Sequence, residues 1–123
     1  MSRRILVVDD DEDVRRLAVM SLARVGGHDV RSVGSGAECL EELTAQRPDV
    51  VVLDVMMPVM DGPATLAAIR DSGTTHDLPV VFLTAGIVAA DMDRLRSLPV
   101  SGVLQKPFDP MTLPSQLAEL LDW

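Results

Sequence analysis

The chain has 123 residues, of which 47% are apolar and 24% charged, a composition that fits one globular domain and argues against disorder. The formal net charge of −8 at pH 7 and the pI near 4.5 have the wrong sign for direct binding to nucleic acid or anionic lipid. No apolar stretch is long enough to cross a membrane, no signal-peptide core follows the start, and a single cysteine, Cys39, fits a reducing compartment, so we expect a cytoplasmic protein.

The first third of the chain predicts strands and helices in alternation. The apolar run Ile5–Val8 predicts the first strand, and apolar side chains then recur at helical spacing until Gly26-Gly27 ends the first helix. Asp29–Val33 predicts a short edge strand. Ser35 begins a second helix, which ends before Arg47-Pro48 because a residue that precedes proline disfavours the helical conformation.

The rest of the chain continues this alternation. Val50–Leu53 predicts a third strand, and Asp61 is the predicted N-cap of a third helix, with Pro63 tolerated in its first turn. The last helix is expected mainly from Pro114 onward, because that proline would lie too deep in a helix capped by Asp109. The remaining elements are a strand at Val80–Leu83, a helix at Ala89–Leu98, a strand at Val103–Gln105 and a helix at Pro114–Leu121.

Strands that are apolar throughout are typical of a parallel sheet that is buried on both faces. The repeated β-α alternation predicts an α/β fold with a doubly wound parallel sheet and helices on both faces, while the strand order stays open. No Gly-x-Gly-x-x-Gly follows the first strand and no Gly-x-x-x-x-Gly-Lys-Ser/Thr occurs, which removes the usual dinucleotide and nucleotide-phosphate motifs. We therefore interpret Gly34-Ser35-Gly36 as a turn.

Polar residues stand where four of the predicted strands end, namely Asp9, Asp10, Asp54, Thr84 and Lys106. In an open parallel sheet the carboxyl ends of the strands face one crevice, so these residues should converge there. Carboxylates about 4 Å apart repel by about 4 kcal/mol at an effective dielectric near 20, so a cation is needed among them. Oxygen ligands favour Mg²⁺, and Lys106 adds a positive charge opposite.

In such a site Asp54 can attack phosphorus as a carboxylate nucleophile, which gives an aspartyl phosphate. A simpler interpretation of the acidic run 9–13 is a solvated helix N-terminus, where negative charge is favourable. We prefer that interpretation for Asp11, Glu12 and Asp13. It does not explain why the run coincides with Leu-Asp-Val-Met-Met-Pro, Leu-Thr-Ala and Gln-Lys-Pro-Phe at the later strand ends.

With these motifs, the chain resembles the receiver domain of bacterial two-component response regulators over essentially its whole length. The resemblance implies a flavodoxin-like five-stranded sheet in the order 2-1-3-4-5 and one receiver domain over residues 1–123. It implies a signalling domain rather than an enzyme, with Asp54 as the phosphoacceptor. It further implies that Asp10 and Asp54 bind Mg²⁺ directly, that Asp9 acts largely through water, and that the backbone carbonyl of Met56 completes the ligands.

The same resemblance implies how the phosphoryl group is held and read. Thr84, Ala85, Lys106 and Pro107 are expected to contact it or to move with it, and the Lys106–Pro107 bond is expected to be cis. The expected donor is a sensor histidine kinase, a phosphotransfer protein or a small phosphodonor. The fourth helix, fifth strand and fifth helix are expected to form the surface read by an unknown downstream protein or output domain.

One position departs from the family pattern. The residue three before the lysine, usually Tyr or Phe, is Val103, so the inward swing of an aromatic side chain cannot occur. Either Val103 simply packs in the core, or the switch runs through backbone movement of the 86–90 loop, which we favour. Gly86 offers no side-chain base, and Met56 is expected to cover the acyl phosphate in part, so we expect dephosphorylation without a strong accelerating side chain.

Two other functions are weighed beside this one. A degenerate receiver would be a phosphorylation-independent protein-binding module, although its site would normally lack one of the five polar residues. A phosphohydrolase with an aspartyl nucleophile typically carries Asp-x-Asp, whose second Asp is the general acid, and Asp54-Val55-Met56 has no such acid. The kinase, the target, the oligomeric state, and the choice between a free-standing regulator and a fragment stay open.

Four remaining residues have simpler interpretations. Cys39 is expected to be a small buried apolar residue. His28 and His76 lie in predicted turns and are expected to face solvent. Trp123 is expected either to cover the last helix or to begin a surface that would meet a linker in a longer protein.

Overall fold

A computed structural model of the protein describes residues 2–85 and 89–123, with the backbone alone at Ala89. Within these residues no helix has the length and apolar character that a membrane span requires. Strands and helices alternate in the order β1 (Arg4–Val8), α1 (Glu12–Met20), β2 (Asp29–Val33), α2 (Gly36–Ala45), β3 (Val50–Asp54), α3 (Gly62–Asp71), β4 (Val80–Thr84), α4 (Ala89–Arg96), β5 (Gly102–Gln105) and α5 (Leu113–Leu121).

The five strands form one parallel sheet in the order β2-β1-β3-β4-β5, which confirms the predicted fold class and strand order. The strand order reverses between β1 and β3, the place where open α/β sheets bind ligands. The register pairs Val8 with Leu53, and Leu53 with Phe82. The carboxyl ends of the three central strands are therefore level, and the residues that follow them lie side by side.

Alternate residues of the central strands supply the two faces of the core. One face packs against residues of α2, α3 and α4, and the other packs against α1, the turn that follows it, and α5. Each fully buried Leu, Ile, Val or Phe side chain contributes about 1.5–3 kcal/mol through the area that it removes from water. The first face includes Leu6, Val51, Phe82, Leu66, Ile69 and Leu95, and the second includes Ile5, Val52, Leu83, Ala18, Leu22 and Leu117.

Short polar side chains cap three of the helices. Asp11 accepts hydrogen bonds from the backbone N–H groups of Asp13 and Val14, which confirms that the acidic residues after Asp10 begin a helix. The predicted caps of α2 and α3 are also confirmed, because Ser35 accepts from the N–H of Glu38, and Asp61 accepts from the N–H of Ala64.

The first helix differs from the prediction of one continuous α-helix. After Met20 the chain forms a π-helical turn, Ser21–Val25, in which the Gly26 N–H donates to the Ser21 carbonyl over 3.1 Å. Apolar spacing alone does not reveal such a turn, because the wider winding still keeps Leu22 in the core. Of the two predicted glycines, Gly27 alone is left-handed, with φ of 73°.

Three predictions about burial and boundaries need correction. β5 is an edge strand that is only partly buried, and Gln105 is exposed, so its apolar run did not indicate burial on both faces. α4 ends at Arg96 rather than Leu98, because the Ser97 hydroxyl donates to the Arg94 carbonyl over 2.6 Å and tighter turns follow. α5 begins one residue earlier than predicted, at Leu113.

The predicted side-chain environments hold for Cys39 and His76 but not for His28. Cys39 is fully buried, and burial raises the pKa of its thiol to about 12, which fits an inert apolar residue. His76 is exposed. The prediction was wrong for His28, which is half-buried and whose Nδ1 accepts from the Arg3 N–H over 3.1 Å. The ring centroids of Trp123 and His28 lie 5.3 Å apart, and Trp123 partly covers the core beside α5.

Candidate functional site

The predicted site residues stand at the carboxyl edge of the sheet. Asp9 follows β1, Asp54 ends β3, Thr84 ends β4 and Lys106 follows β5. Asp9, Asp54 and Thr84 are only 2–3% exposed, whereas Asp10 is exposed. Since the strands are parallel and level, residues that are up to about a hundred positions apart in the sequence meet in one crevice.

Three carboxylates and one ammonium group form the centre of the site. One carboxylate oxygen from each of Asp9, Asp10 and Asp54 lies within 4.8 Å of the others. The Lys106 ammonium group donates to Asp54 Oδ1 over 3.0 Å and lies 2.8 Å from Asp9 Oδ2. The structure thus brings four of the five predicted polar residues together by their side chains.

Thr84 joins the site through the main chain. Its carbonyl accepts from the Lys106 N–H over 2.8 Å, which attaches the start of the segment after β5 to the end of β4. The Lys106–Pro107 bond is cis, as the resemblance implied. Ala85 and Pro107 are exposed beside the crevice, and their expected contacts with a phosphoryl group remain predictions.

Burial and charge set the acidity of the two central groups. Burial raises the pKa of Asp54 to about 6. The hydrogen bond from Lys106 lowers this pKa, while the charge of Asp9 and the contact with Asp10 raise it further. Burial lowers the pKa of Lys106, but pairing with Asp9 and Asp54 outweighs it, so the pKa is raised above its ordinary value. Lys106 is the sole lysine in the sequence and stays charged at neutral pH.

The donor set fits a hard divalent cation. Among the residues that the structure describes, Asp9 Oδ2 is the one buried side-chain oxygen or nitrogen without a hydrogen bond. Lys106 Nζ lies 2.8 Å from this oxygen as an ion pair, and a carboxylate oxygen has a second lone pair with which it can bind a cation. Clustered carboxylate oxygens are the ligands that Mg²⁺ prefers. The role of the Met56 carbonyl remains a prediction, and the Met56 N–H lies 3.4 Å from Asp54 Oδ1.

Two residues that support the site were not identified from the sequence. Arg15, on α1, donates from Nη1 to the Asp9 carbonyl over 2.8 Å. Gly62, the first residue of α3, lies so close to β3 that a Cβ there would stand 2.7 Å from the Asp54 carbonyl oxygen. The only sequence signal for the role of Arg15 is its position in the helix after the acidic pair, and that signal is weak. For Gly62, the sequence indicated only that a helix starts at Asp61.

The sequence expectations for regulation have mixed outcomes. Val103 is half-buried and packs against the first face of the core, which is the simpler of its two predicted roles. Two further expectations concern the 86–90 loop, namely its movement and the lack of a side-chain base at Gly86. Most of that loop lies outside the described residues. Met56 is 74% exposed, and its expected shielding of an acyl phosphate remains a prediction.

A groove opens along the surface made by α4, β5 and α5. It encloses about 590 Å³ and is lined by both charged and apolar side chains. Its lining includes Val103 from β5, Arg96 and Asp93 from α4, and Gln116 from α5. The segment after Lys106 contributes Phe108, so the groove and the acidic crevice share one stretch of chain.

The chain is similar to known proteins in both sequence and fold. The family model described as the response regulator receiver domain matches residues 5–118. The chain is 39% identical to response regulator MprA of Mycobacterium tuberculosis over 121 residues, which cover 98% of this chain and 51% of MprA. It is 38% identical to transcriptional regulatory protein PrrA of Mycobacterium bovis over 120 residues, 98% of this chain and 47% of PrrA. The chain thus spans about half the length of these relatives.

Solved structures agree with this assignment. A putative response regulator from Chloroflexus aurantiacus superposes with a TM-score of 0.89 at 29% identity over the whole of both chains. The chemotaxis response regulator CheY4 of Vibrio cholerae gives a TM-score of 0.88 at 29% identity, with 98% of this chain and 99% of CheY4 covered.

Proposed function

The chain belongs to the response regulator receiver domain family, and from this premise we propose that it accepts a phosphoryl group on Asp54 and signals through the α4-β5-α5 face. The donor is a phosphohistidine on a sensor kinase or phosphotransfer protein, or a small acyl phosphate. We further propose that residues 1–123 act as one receiver domain in the cytoplasm. The acidic surface makes a protein the direct partner of this domain, rather than nucleic acid or lipid.

The observation that carries the proposal is the position of Asp54 between a cation and two further carboxylates. The Asp54 carboxylate is buried, its pKa of about 6 leaves it ionised above neutral pH, and Lys106 is within hydrogen-bonding distance. A carboxylate in this setting is a nucleophile held beside the charge that the transferred group needs.

The transfer forms one bond and breaks another. An Asp54 carboxylate oxygen bonds to phosphorus while the bond from phosphorus to the donor nitrogen or oxygen breaks, and the donor leaves with that electron pair. Bound Mg²⁺, held by Asp9, Asp10 and Asp54, would supply positive charge to the phosphoryl oxygens. Lys106 exchanges its contact with Asp54 for one with a phosphoryl oxygen, and the Thr84 hydroxyl is placed at the adjacent strand end.

The phosphoryl group then changes the forces on the segment that follows β5. It brings negative charge and strong acceptor oxygens next to Lys106, which biases an equilibrium between two conformations. Phe108 and Val103 connect that segment with the groove between α4 and α5. A protein partner or an output domain that binds the groove would respond to the occupancy of Asp54.

The test is intact-protein mass spectrometry after incubation with Mg²⁺ and a small acyl phosphate. We expect one added phosphoryl group on the wild-type protein and none on Asp54→Asn or in the presence of a chelator. Asp71→Asn, an exposed aspartate at the end of α3, is the matched control and should be phosphorylated like the wild type.

Two outcomes would contradict the proposal. A protein that binds Mg²⁺ but gains no adduct would instead act as a phosphorylation-independent binding module, with Val103 as the first residue to examine. Continuous turnover of an added phosphomonoester would favour a phosphohydrolase, the other function considered from the sequence.

A further inference from the structure

We propose that Ser21 is a positioning residue that holds the Lys106 segment in place for the phosphoryl group, an inference that rests on the proposed function. Ser21 is 2% exposed and belongs to the π-helical turn after α1. Its hydroxyl donates to the carbonyl of Pro110, which is 89 positions further along the chain. No motif in the sequence links these two residues.

The segment 106–110 follows β5, begins with Lys106 and leads toward α5, which starts at Leu113. Its first residue is held by the hydrogen bond from the Lys106 N–H to Thr84. Two of its residues, Pro107 and Pro110, have no N–H, so the main chain offers few donors for anchoring it. The hydroxyl of Ser21 compensates at the far end, where it binds the Pro110 carbonyl. The segment that carries Lys106 is thereby fixed at both ends.

The other end of this connection is the helix that follows the acidic pair. α1 begins after Asp11, and Ser21 lies about 15 Å further along its axis at 1.5 Å per residue. α1 and the π-helical turn that follows it therefore join the loop that carries Asp9 and Asp10 to the residue that holds Pro110. Ser21 acts on the spacing between Lys106 and the carboxylates, and it does not touch the phosphoryl group.

The π-helical turn is where the Ser21 hydroxyl can hold the segment that carries Lys106. A serine inside a helix commonly bonds back to the carbonyl one turn earlier. Here the Ser21 hydroxyl instead bonds to the segment before α5, and the wide turn that starts at Ser21 packs on α5, with Leu22 and Leu117 in one core face. Such turns are frequent at functional sites.

The test separates the binding of Mg²⁺ from the binding of a phosphoryl mimic. The three carboxylates that would hold Mg²⁺ follow β1 or end β3, whereas Lys106, which contacts two of them, belongs to the segment after β5. Loss of one hydrogen bond should weaken beryllofluoride binding at saturating Mg²⁺ by about five-fold in Ser21→Ala. The affinity for Mg²⁺ should stay within about two-fold of the wild type, since the loss of the bond leaves those ligands in place. Isothermal titration calorimetry measures both affinities.

Further variants and a spectroscopic signal keep the test decisive. Ser21→Thr restores the hydroxyl and should restore beryllofluoride binding, whereas Ser21→Cys keeps the volume and should bind as weakly as Ser21→Ala. Ser115→Ala is the matched control, because that hydroxyl donates within its own helix, to Thr112 over 2.9 Å. Since Lys106 is the sole lysine, carbon-13 lysine labelling gives one Cε signal, which should move on Ser21→Ala and not on Ser115→Ala.

Each result decides between the two proposals. Equal weakening of both affinities in Ser21→Ala, or no change in beryllofluoride affinity and in the lysine signal, would overturn the role of Ser21 while leaving the phosphoacceptor proposal intact. Wild-type protein that binds Mg²⁺ and not beryllofluoride would overturn the phosphoacceptor proposal and this role with it.

Discussion

Arg15 donates a hydrogen bond from Nη1 to the main-chain carbonyl of Asp9 over 2.8 Å, so a side chain of α1 holds the residue at which the chain leaves β1. The same nitrogen lies 3.0 Å from the position that a Cβ would take at Gly34, in the turn after β2. The guanidinium group therefore lies between the ends of two neighbouring strands and fixes the loop that carries the acidic pair.

Arg15→Met should lower the free energy of unfolding by about 1–2 kcal/mol, the usual value of a hydrogen bond from a charged group. Arg16→Met is the matched control, because among the described residues Arg16 pairs only with exposed Glu12 on the same helix, and its loss should cost less than about 0.5 kcal/mol. Urea unfolding in a chelator measures both. Equal losses in the two variants would contradict a special role for Arg15.

Asp54→Asn should stabilise the metal-free protein at neutral pH. The folded-state pKa of about 6 lies above the unfolded value near 3.9, so the folded protein binds the proton more tightly between these values. The contribution of the Asp54 carboxyl group to the stability of the wild type is therefore greatest below about pH 4. It is lost as the pH rises through about 6. The asparagine variant has no such loss.

The expected difference between Asp54→Asn and the wild type is near zero below about pH 4 and reaches about 3 kcal/mol above about pH 6. Urea titrations across this range in a chelator give the curve. A wild type that gains stability relative to the variant as the pH rises would show that the sign is wrong. Asp71→Asn, which is exposed, should give a flat difference.

Lys106→Met should affect cation binding and phosphoryl uptake in opposite directions. Removal of the ammonium group lets Mg²⁺ approach Asp9 and Asp54 without repulsion, and we expect a gain in affinity on the order of ten-fold. Phosphorylation by an acyl phosphate should fall sharply, because the ammonium group that would bind a phosphoryl oxygen is gone. Lys106→Arg keeps the charge, so its Mg²⁺ affinity should resemble that of the wild type. Weaker Mg²⁺ binding by Lys106→Met would contradict the electrostatic argument.

Gly62→Ala should destabilise the protein by about 1–3 kcal/mol, because the added methyl group would press on backbone atoms that cannot move freely. The ideal Cβ would lie 2.7 Å from the Asp54 carbonyl oxygen and 2.8 Å from the Val55 Cα. Gly73→Ala is the control, since a Cβ there meets no atom within 4 Å. Thermal unfolding of both variants checks the difference, and equal melting temperatures would be the contrary result.

Val59→Gly should stabilise the protein by about 0.5–1 kcal/mol. Val59 has φ of 68° and is fully exposed, so its branched side chain is strained and has no packing in return. Glycine relieves the strain, although part of the gain is lost to the entropy of the unfolded chain. Val59→Ala still has a Cβ at positive φ and should gain less, and calorimetry can rank the three proteins.

Most of the fold follows from local signals that agree with one another. The runs at 5–8, 50–53 and 80–83 are apolar at every position, which is typical of strands covered on both faces, and all three are buried. The polar residue after each run then marks the edge where a site can form. That is why Asp9, Asp54 and Thr84 could be assigned from the sequence to one crevice.

What could not be predicted depends on contacts across the fold. The bond from Ser21 to Pro110 and the bond from Arg15 to Asp9 join elements whose approach no local pattern reveals. The π-helical turn keeps the apolar spacing of an ordinary helix. The burial of His28 depends on Trp123, which comes from the other end of the chain.

The apolar runs Val50–Leu53 of β3 and Val80–Leu83 of β4 are also prone to aggregation while the chain is incomplete. Unfolded segments of this kind, with high strand propensity and no internal charge, can pair with copies of themselves. Asp49 and Asp54 stand immediately before and at the end of the run Val50–Leu53, where charged residues discourage such pairing. Asp54 should therefore also discourage such pairing in the nascent chain, and replacing it with a neutral residue should lower the soluble yield at synthesis.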